Sequence, residues 1–198
     1  MDIDDEIIAK VNAHAAHEAK HRPHAGHFHS DTKAGSDLNV AEEFVECALP
    51  DDGAPFQSLR TCGTDPPDCE AIDSAGRRIA IEVTDLVDGN AIQHAKRGRD
   101  TRKTTKKSKP DVKVEPWSAR RFGARVLDLL RKKDGKTLKN GPFAEYLVLI
   151  ACDEPALDRE TVMAYLAALK RPQLVNVHRA YLVLYDAMAQ AYALFRLY

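Results

Sequence analysis

The sequence predicts an α/β fold of the α+β kind, in which helices flank a central mixed sheet. Three observations support this class. Helical and strand patterns alternate along the chain in the order helix, three strands, helix, strand, helix and two strands. Residues 145–151 form a nearly continuous apolar run, which is typical of a central strand covered on both faces. Residues 68–84 have the pattern of a β-hairpin.

Composition predicts one main domain with an N-terminal appendage. The chain has 198 residues, of which 44% are hydrophobic, and this content is sufficient for a sizeable core. We assign residues 1–36 to a His-rich helix and tether, and residues 37–198 to the main domain, which carries a basic loop at 96–116. No apolar run approaches the roughly 20 residues of a membrane span, so no membrane partner is expected. The acidic N-terminus lacks the features of a secretory signal, which favours a cytoplasmic location.

The N-terminal half is predicted to hold two helices and the first strand. Residues 4–20 can form a polar, alanine-rich helix, and residues 21–35 suggest a loop. A second helix is expected at 40–48, with Asn39 as its N-cap. A strand at 57–62 then leads into the hairpin. The four cysteines show no CxxC spacing, which favours reduced structural thiols over disulfides or a zinc site.

The hairpin is expected to bring two carboxylates together. Ser74, Ala75 and Gly76 suit a three-residue loop with glycine in the left-handed conformation, and that register places Asp68 opposite Glu82. Opposed residues have Cβ atoms about 4.5–5.5 Å apart, so both carboxylates could hold one divalent cation. The other face of the hairpin is apolar and consists of Cys69, Ala71, Ile79, Ile81 and Val83.

The C-terminal half supplies the remaining elements. Ser118 can cap a helix to Lys133, with residues 145–151 following as the central strand. A helix is expected from Asp158 to Leu169, and strands at 179–185 and 191–197 form a terminal pair. The apolar residues of the first of these helices recur at helical spacing and are Phe122, Val126, Leu129 and Leu130.

Positive charge is concentrated in the middle of the chain. Residues 96–140 hold 17 Lys and Arg against 5 Asp and Glu, a net charge of +12 within a protein whose total is −1. Such a block favours a polyanion partner, and nucleic acid is the first candidate, although a solvated loop is the open alternative. The candidate nucleic-acid-binding residues are Lys96, Arg97, Arg99, Arg102, Lys103, Lys106, Lys107, Arg121, Arg125 and Lys132.

Two short motifs carry a resemblance to a known family. They are Pro67-Asp68 and, fourteen residues after Asp68, Glu82-Val83-Thr84. With the predicted element order, the chain resembles the PD-(D/E)XK nuclease superfamily, whose signature is Pro-Asp followed later by an acidic residue, any residue and a lysine. The resemblance implies a restriction-endonuclease-like core, a magnesium ion on the two acids, and a lysine that positions or activates the attacking water. Thr84 stands in the place of that lysine. Lys132, Lys133 and Lys136 are possible substitutes, and Lys133 is preferred because it continues the apolar helix face toward the sheet.

Hard oxygen ligands complete the predicted site. The carboxylates of Asp68 and Glu82 and the carbonyl of Val83 suit Mg²⁺ or Mn²⁺ better than a soft metal. Glu43, or its neighbour Glu42, could join through a water, as a helix acid does in the family that the chain resembles. The hydroxyl of Thr84 could hydrogen-bond a metal-bound water. The catalytic candidates are therefore Asp68, Glu82, Thr84 and Lys133. Asp65 is interpreted as part of the extended lead-in to Asp68.

These observations predict a magnesium- or manganese-dependent nuclease, with DNA preferred over RNA as its substrate. The alternative is a nuclease-fold module that binds nucleic acid or protein without catalysis, which the replacement of lysine by Thr84 would permit. A third hypothesis concerns the six histidines between His14 and His29, which could capture zinc or act as a pH-sensitive arm, or could be a plain flexible tail. Homodimerisation is left open.

Overall fold

A computed structural model of the chain describes residues 32–48, 56–87, 117–154, 156–170, 172–187 and 189–198. Apart from Val87, these residues belong to one compact unit, which combines His27–Leu86 with Pro116–Tyr198. The predicted helix at 4–20, the histidine cluster and the basic loop at 96–116 lie outside the described residues. Within the described part of the chain, no helix is both long enough and apolar enough to cross a membrane.

The described elements form a mixed six-stranded sheet with helices on both faces. The strands lie in the order β1-β2-β3-β4-β5-β6. The β3–β4 and β4–β5 pairs are parallel and the other pairs are antiparallel. The predicted α/β class, with a central mixed sheet between helices, is therefore confirmed. The elements are α1 Lys33–Ala48, β1 Gln57–Thr61, β2 Cys69–Ile72, β3 Arg78–Asp85, α2 Ala119–Asp134, β4 Glu145–Cys152, α3 Arg159–Ala167, β5 Arg179–Asp186 and β6 Ala191–Arg196.

Strand β4 lies inside the sheet and is buried on both faces. Its alternate residues enter two hydrophobic cores, because successive strand residues point to opposite faces. Leu147, Leu149 and Ala151 pack in the core covered by α1. Val148 and Ile150 pack in the core covered by α2 and α3. The apolar run predicted to be a central strand has this position because neither of its faces contacts water.

Helix α1 begins earlier in the chain than predicted. Its first residue is Lys33, so the predicted start at Val40 and the assignment of residues 33–35 to a loop are wrong. The cap is Thr32, whose hydroxyl accepts the N–H of Gly35 at 3.1 Å, and not Asn39. Gly35 and Ser36 are weak helix formers, and their presence concealed the first turn in the sequence. The other predicted bounds agree with the structure to within two residues.

The β2–β3 hairpin has the predicted register and loop. Cys69 pairs with Ile81, so Asp68 and Glu82 are opposed one step further along the strands. Gly76 has a φ of 76°, the left-handed conformation that the three-residue loop requires. The carboxylate of Asp73 closes the loop by accepting the N–H groups of Ala75 and Arg77 at 3.0 and 2.8 Å. All five residues of the predicted apolar face are buried in the core beneath α1.

The C-terminal end of α2 is anchored to the segment that precedes β5. The carboxylate of Asp134, the last residue of α2, accepts the N–H groups of Val175, Asn176 and Val177 at 3.0, 2.7 and 2.9 Å. Burial by itself would raise the pKa of Asp134, but these three donors outweigh it and hold the pKa below its ordinary value. The position of α2 relative to the sheet is thereby fixed at this end.

Replacement of Leu182 by alanine should strongly destabilise the protein. Leu182 is fully buried in the core beneath α2 and α3, and Leu→Ala at such sites costs about 2–5 kcal/mol of unfolding free energy. Denaturant unfolding monitored by circular dichroism measures the loss. Met163→Ala is the control, because Met163 is 54% exposed and a surface substitution should change the free energy by about 0.5 kcal/mol or less.

Replacement of Asp134 by asparagine should remove part of the pH dependence of stability. A carboxylate whose folded pKa is lowered stabilises the fold above its unfolded pKa, about 3.9, and loses that contribution as the pH falls through the folded value. Asp134→Asn should therefore lower the free energy of unfolding at pH 7 by about 1–3 kcal/mol, with a difference that shrinks below about pH 4. Urea unfolding from pH 7 to pH 3 measures it. A difference that is constant with pH would exclude the charge of Asp134 as its source.

Candidate metal centre

Asp68 and Glu82 lie on the sheet face that α2 covers. Asp68 immediately precedes β2 and is 8% exposed, whereas Glu82 is in the middle of β3 and is 0% exposed. The segment before Asp68 is braced, because the N–H of Lys139 donates to the carbonyl of Pro66 at 2.8 Å and the N–H of Cys62 donates to the carbonyl of Asp68 at 2.9 Å. The two carboxylates are therefore held by backbone contacts of their own strands and loops.

A third carboxylate, that of Asp65, completes an acidic group. One carboxylate oxygen each from Asp65, Asp68 and Glu82 lies within 4.8 Å of the other two. The sequence indicates only a lead-in role for Asp65, because no local pattern reveals the bent segment 63–68 that brings its side chain near the other two carboxylates. In addition, Oε1 of Glu82 is buried and has no hydrogen-bond partner among the described residues. A buried acceptor without a partner is costly, and a cation or a water would satisfy it.

Lys133 lies among the predicted metal ligands. Its ammonium group contacts Oε2 of Glu82, the carbonyl of Val83 at 2.7 Å and Oδ2 of Asp68 at 3.6 Å. The side chain is 12% exposed. The structure thus brings together all three predicted ligands on the hairpin and the lysine that the helix periodicity selected. In this arrangement the ammonium occupies the oxygen-lined position in which a cation would bind.

Lys136 contacts the same group from its exposed side. Its ammonium donates to Oε2 of Glu82 at 2.7 Å and lies 3.6 Å from Oδ1 of Asp65. Burial by itself would lower the pKa of Lys136, but the hydrogen bond to Glu82 and the negative charges of Glu82, Asp65 and Asp68 together outweigh burial and raise the pKa. The sequence named Lys136 only as one of three possible substitutes for the missing lysine. It is the loop after α2 that turns Lys136 toward the site.

Lys33 is a member of the site that the sequence did not indicate. Its ammonium donates to Oδ1 of Asp68 and to Oδ2 of Asp37, both at 2.7 Å. It was missed because its segment was assigned to the tether. Burial by itself would raise the pKa of Asp68, but the hydrogen bonds from Lys33 and from the N–H of Val83, with the charge of Lys133, lower it. Burial raises the pKa of Asp37, and the charge of Asp68 adds to this effect.

The helix acid predicted for the site, Glu43, lies elsewhere. Its carboxylate accepts a hydrogen bond from Tyr192 on β6. Glu43 is six residues beyond Asp37, and at 1.5 Å per residue it lies about 9 Å further along the helix axis. Glu42 is exposed. Thr84 is half-buried on β3, two residues beyond Glu82. Asp37 is therefore the acid of α1 that is linked to the group, through Lys33.

The predicted nucleic-acid-binding residues fall into two sets. On α2, Arg121 lies over the ring of Trp117 at 4.7 Å, and Arg125 and Lys132 pair with Asp128 at 3.1 and 2.9 Å. These contacts hold the side chains along one surface of the helix without using all their donors. The other seven are in the basic loop, outside the described residues, and are Lys96, Arg97, Arg99, Arg102, Lys103, Lys106 and Lys107.

Comparisons with protein-family models, with curated proteins and with solved structures gave no match. What the site can do therefore follows from its donors and charges. Carboxylate and carbonyl oxygens suit Mg²⁺ or Mn²⁺. A divalent cation bound by Asp68, Glu82 and the carbonyl of Val83 would compete with the ammonium of Lys133 for the same three oxygens.

Replacement of Lys133 by methionine should increase the affinity for divalent cations. The substitution keeps a flexible apolar side chain but removes the positive charge beside Asp68 and Glu82, so the Mn²⁺ dissociation constant should fall about tenfold or more. Titration calorimetry of the folded protein with Mn²⁺ measures it. Lys132→Met is the matched control, because Lys132 is the preceding residue but pairs with Asp128 on the surface. Equal affinity in the wild type and in Lys133→Met would show that the ammonium does not compete with the cation.

Proposed function

We propose that the protein is a metal-dependent nuclease of the PD-(D/E)XK type, which hydrolyses phosphodiester bonds of nucleic acid, with DNA as the preferred substrate. The observation that carries the proposal is the convergence of Lys133 on Asp68, Glu82 and Val83. A lysine from a helix thus stands beside an acid pair from two adjacent strands. The element order, a helix, an antiparallel three-strand meander, a helix and a parallel strand, supports a restriction-endonuclease-like core.

Asp68 and Glu82 would hold Mg²⁺ or Mn²⁺, and Asp65 is near enough to share the ion. The unpartnered Oε1 of buried Glu82 fits a cation ligand, because a carboxylate oxygen with no donor is satisfied by a positive charge. When bound, the ion supplies Lewis-acid polarisation of the phosphate and a lowered pKa of a coordinated water. The carbonyl of Val83 becomes a ligand only when Lys133 releases it.

Lys133 supplies the positive charge that the lysine of the PD-(D/E)XK signature supplies in the family. Thr84, which stands at the position of that lysine, has no cationic group. An ammonium that is 12% exposed and touches both acids can donate hydrogen bonds to the attacking water or to a phosphate oxygen. It can also stabilise the negative charge that develops in the transition state. Its backbone is fixed, because the carbonyl of Lys133 accepts the hydroxyl of Tyr146 at 3.0 Å and the next residue is Asp134, the anchor of α2.

The surrounding cations would bring the substrate to the site. Lys33 contacts Asp68 and Lys136 contacts Glu82, and the basic surface of α2 ends at Lys132, the residue before Lys133. Each phosphate that such groups neutralise releases counterions and favours binding at low salt. The basic segment 96–140, with its net charge of +12, would extend this attraction along the chain.

Replacement of Glu82 by glutamine should abolish metal-dependent cleavage. Glutamine keeps the shape of the side chain but removes the charge that holds the cation, so the cleavage rate should fall by about 100-fold or more, the scale expected for loss of one catalytic group. The assay follows labelled single- and double-stranded DNA, and RNA, with Mg²⁺ or Mn²⁺. Glu43→Gln is the matched control and should cleave like the wild type, because Glu43 lies at Tyr192.

No cleavage of any of these substrates by the wild type, with either ion, would reject the nuclease proposal. The second candidate, a nuclease-fold module that binds nucleic acid without catalysis, would then stand. It is favoured by the contacts of Lys33, Lys133 and Lys136, which neutralise the carboxylates without a metal. It predicts salt-dependent binding to DNA that Glu82→Gln leaves unchanged.

A further inference from the structure

A cavity of about 380 Å³ adjoins the acidic group. Lys136 belongs to both, because it is one of the residues that line the cavity and its ammonium donates to Glu82 at 2.7 Å. The volume is within the range of small-molecule sites in proteins. Lys136 is therefore shared by the cavity and the candidate metal centre.

The lining of the cavity combines aromatic surface with a few polar groups. Phe143 and Tyr146 are the aromatic residues of the lining, and Gly141 leaves space beside Phe143 because it has no side chain. Tyr146 is 2% exposed, and the guanidinium of Arg78 lies over the Phe143 ring at 4.6 Å from its centroid. Such a mixture of ring faces with a few polar groups is what a flat heteroaromatic ligand requires. Purely aliphatic ligands would leave the polar groups of the lining without partners.

Two polar side chains of the lining have a defined donor and acceptor. Nδ1 of His178 accepts the N–H of Tyr146 at 3.1 Å, so the neutral ring carries its proton on Nε2 and donates there. Nδ2 of Asn176 donates to the carbonyl of Asp134 at 2.6 Å, which leaves the amide oxygen as an acceptor. One donor and one acceptor in the same lining match the kinds of group that the edge of a nucleobase presents.

The wall that carries these groups is rigid. The carboxylate of Asp134 binds the N–H groups of residues 175–177, and His178 forms backbone and side-chain hydrogen bonds with Tyr146. Asp134 directly follows Lys133 in α2, so one helix end fixes both the lysine of the acidic group and the wall of the cavity. Preorganised groups bind a ligand with little loss of conformational entropy.

We propose that this cavity binds the nucleobase of the nucleotide whose phosphate lies at Lys136 and the acidic group. The base packs against the pair formed by Phe143 and the guanidinium of Arg78, and it is hydrogen-bonded by His178 and Asn176. This proposal rests on the proposed nuclease function, since it takes the substrate to be nucleic acid. It assigns to the cavity the recognition of one unpaired base beside the bond that is cleaved.

The test compares deoxyadenosine 5′-monophosphate with 2-deoxyribose 5-phosphate, which has the same phosphate but no base. Binding is measured by NMR titration of the full chain without metal. The wild type should bind the nucleotide about tenfold or more tightly than the sugar phosphate, because stacking and hydrogen bonding of one base are of that scale. Equal affinity for the two probes would overturn the proposal.

Gly141→Leu should fill the cavity and remove the preference for the nucleotide. A Cβ on Gly141 meets Phe143 only at 3.6 Å or more, so the first atom of the new side chain is accommodated. Gly63→Leu is the matched control, because a Cβ there meets no atom within 4 Å and Gly63 does not line the cavity. His178→Ala, at an exposed residue, should reduce the preference independently of any effect of Gly141→Leu on folding. An unchanged preference in both variants would place the base elsewhere and reject the cavity.

The outcome is separable from that of the nuclease proposal. A preference for the nucleotide that Gly141→Leu removes, in a protein that never cleaves nucleic acid, would retain the cavity as a base-binding site and reject the nuclease. Metal-dependent cleavage together with equal affinity for the two probes would retain the nuclease and reject the cavity.

Discussion

The carboxylate of Glu82 lies in the middle of the sheet and has no exposed surface. Its contacts with Lys133 and Lys136 constrain the rest of the structure. Removing a charge from water costs several kcal/mol unless an opposite charge and hydrogen bonds accompany it. The ammonium groups come from the end of α2 and the loop that follows it. Helix α2 must therefore lie with its C-terminal end near Glu82 of β3. Its apolar face packs in the core and leads to Lys133, which brings the ammonium to Glu82.

The end of α2 joins three parts of the molecule. Lys133 neutralises the acids of the hairpin, Asp134 binds the backbone that precedes β5, and Lys136 lies between the acidic group and the cavity. These contacts come from three residues within the four-residue segment 133–136. Residues so close in the chain cannot move independently when one of them is bound to backbone N–H groups. The same helix end therefore contacts both the acidic group and the wall of the cavity.

The acidic group is an unfavourable arrangement if stability is the only consideration. Three carboxylates within 4.8 Å of each other repel, and Oε1 of Glu82 lies buried without a partner among the described residues. Replacing such a group by apolar residues is often neutral or stabilising. Local violations of packing and hydrogen-bonding rules tend to lie at functional sites. This is the physical reason for assigning the proposed chemistry to Asp68 and Glu82.

Local patterns in the sequence were enough to predict the order of the described elements, the register of the hairpin and the helix face that ends at Lys133. Periodicity and turn chemistry depend only on neighbouring residues, so they can be read without the fold. The partners of the acids could not be read in this way. Lys33 contacts Asp68 from the first turn of α1, a segment that was predicted to be part of the tether. Asp65 lies in the loop before β2, and its carboxylate is close to those of Asp68 and Glu82. Glu43 was expected there and contacts Tyr192 instead, because the neighbours of a helix residue depend on how the helix packs against the sheet. Contacts between residues far apart in the chain arise only when the sheet and its helices pack, since no local pattern encodes which charged side chains then meet.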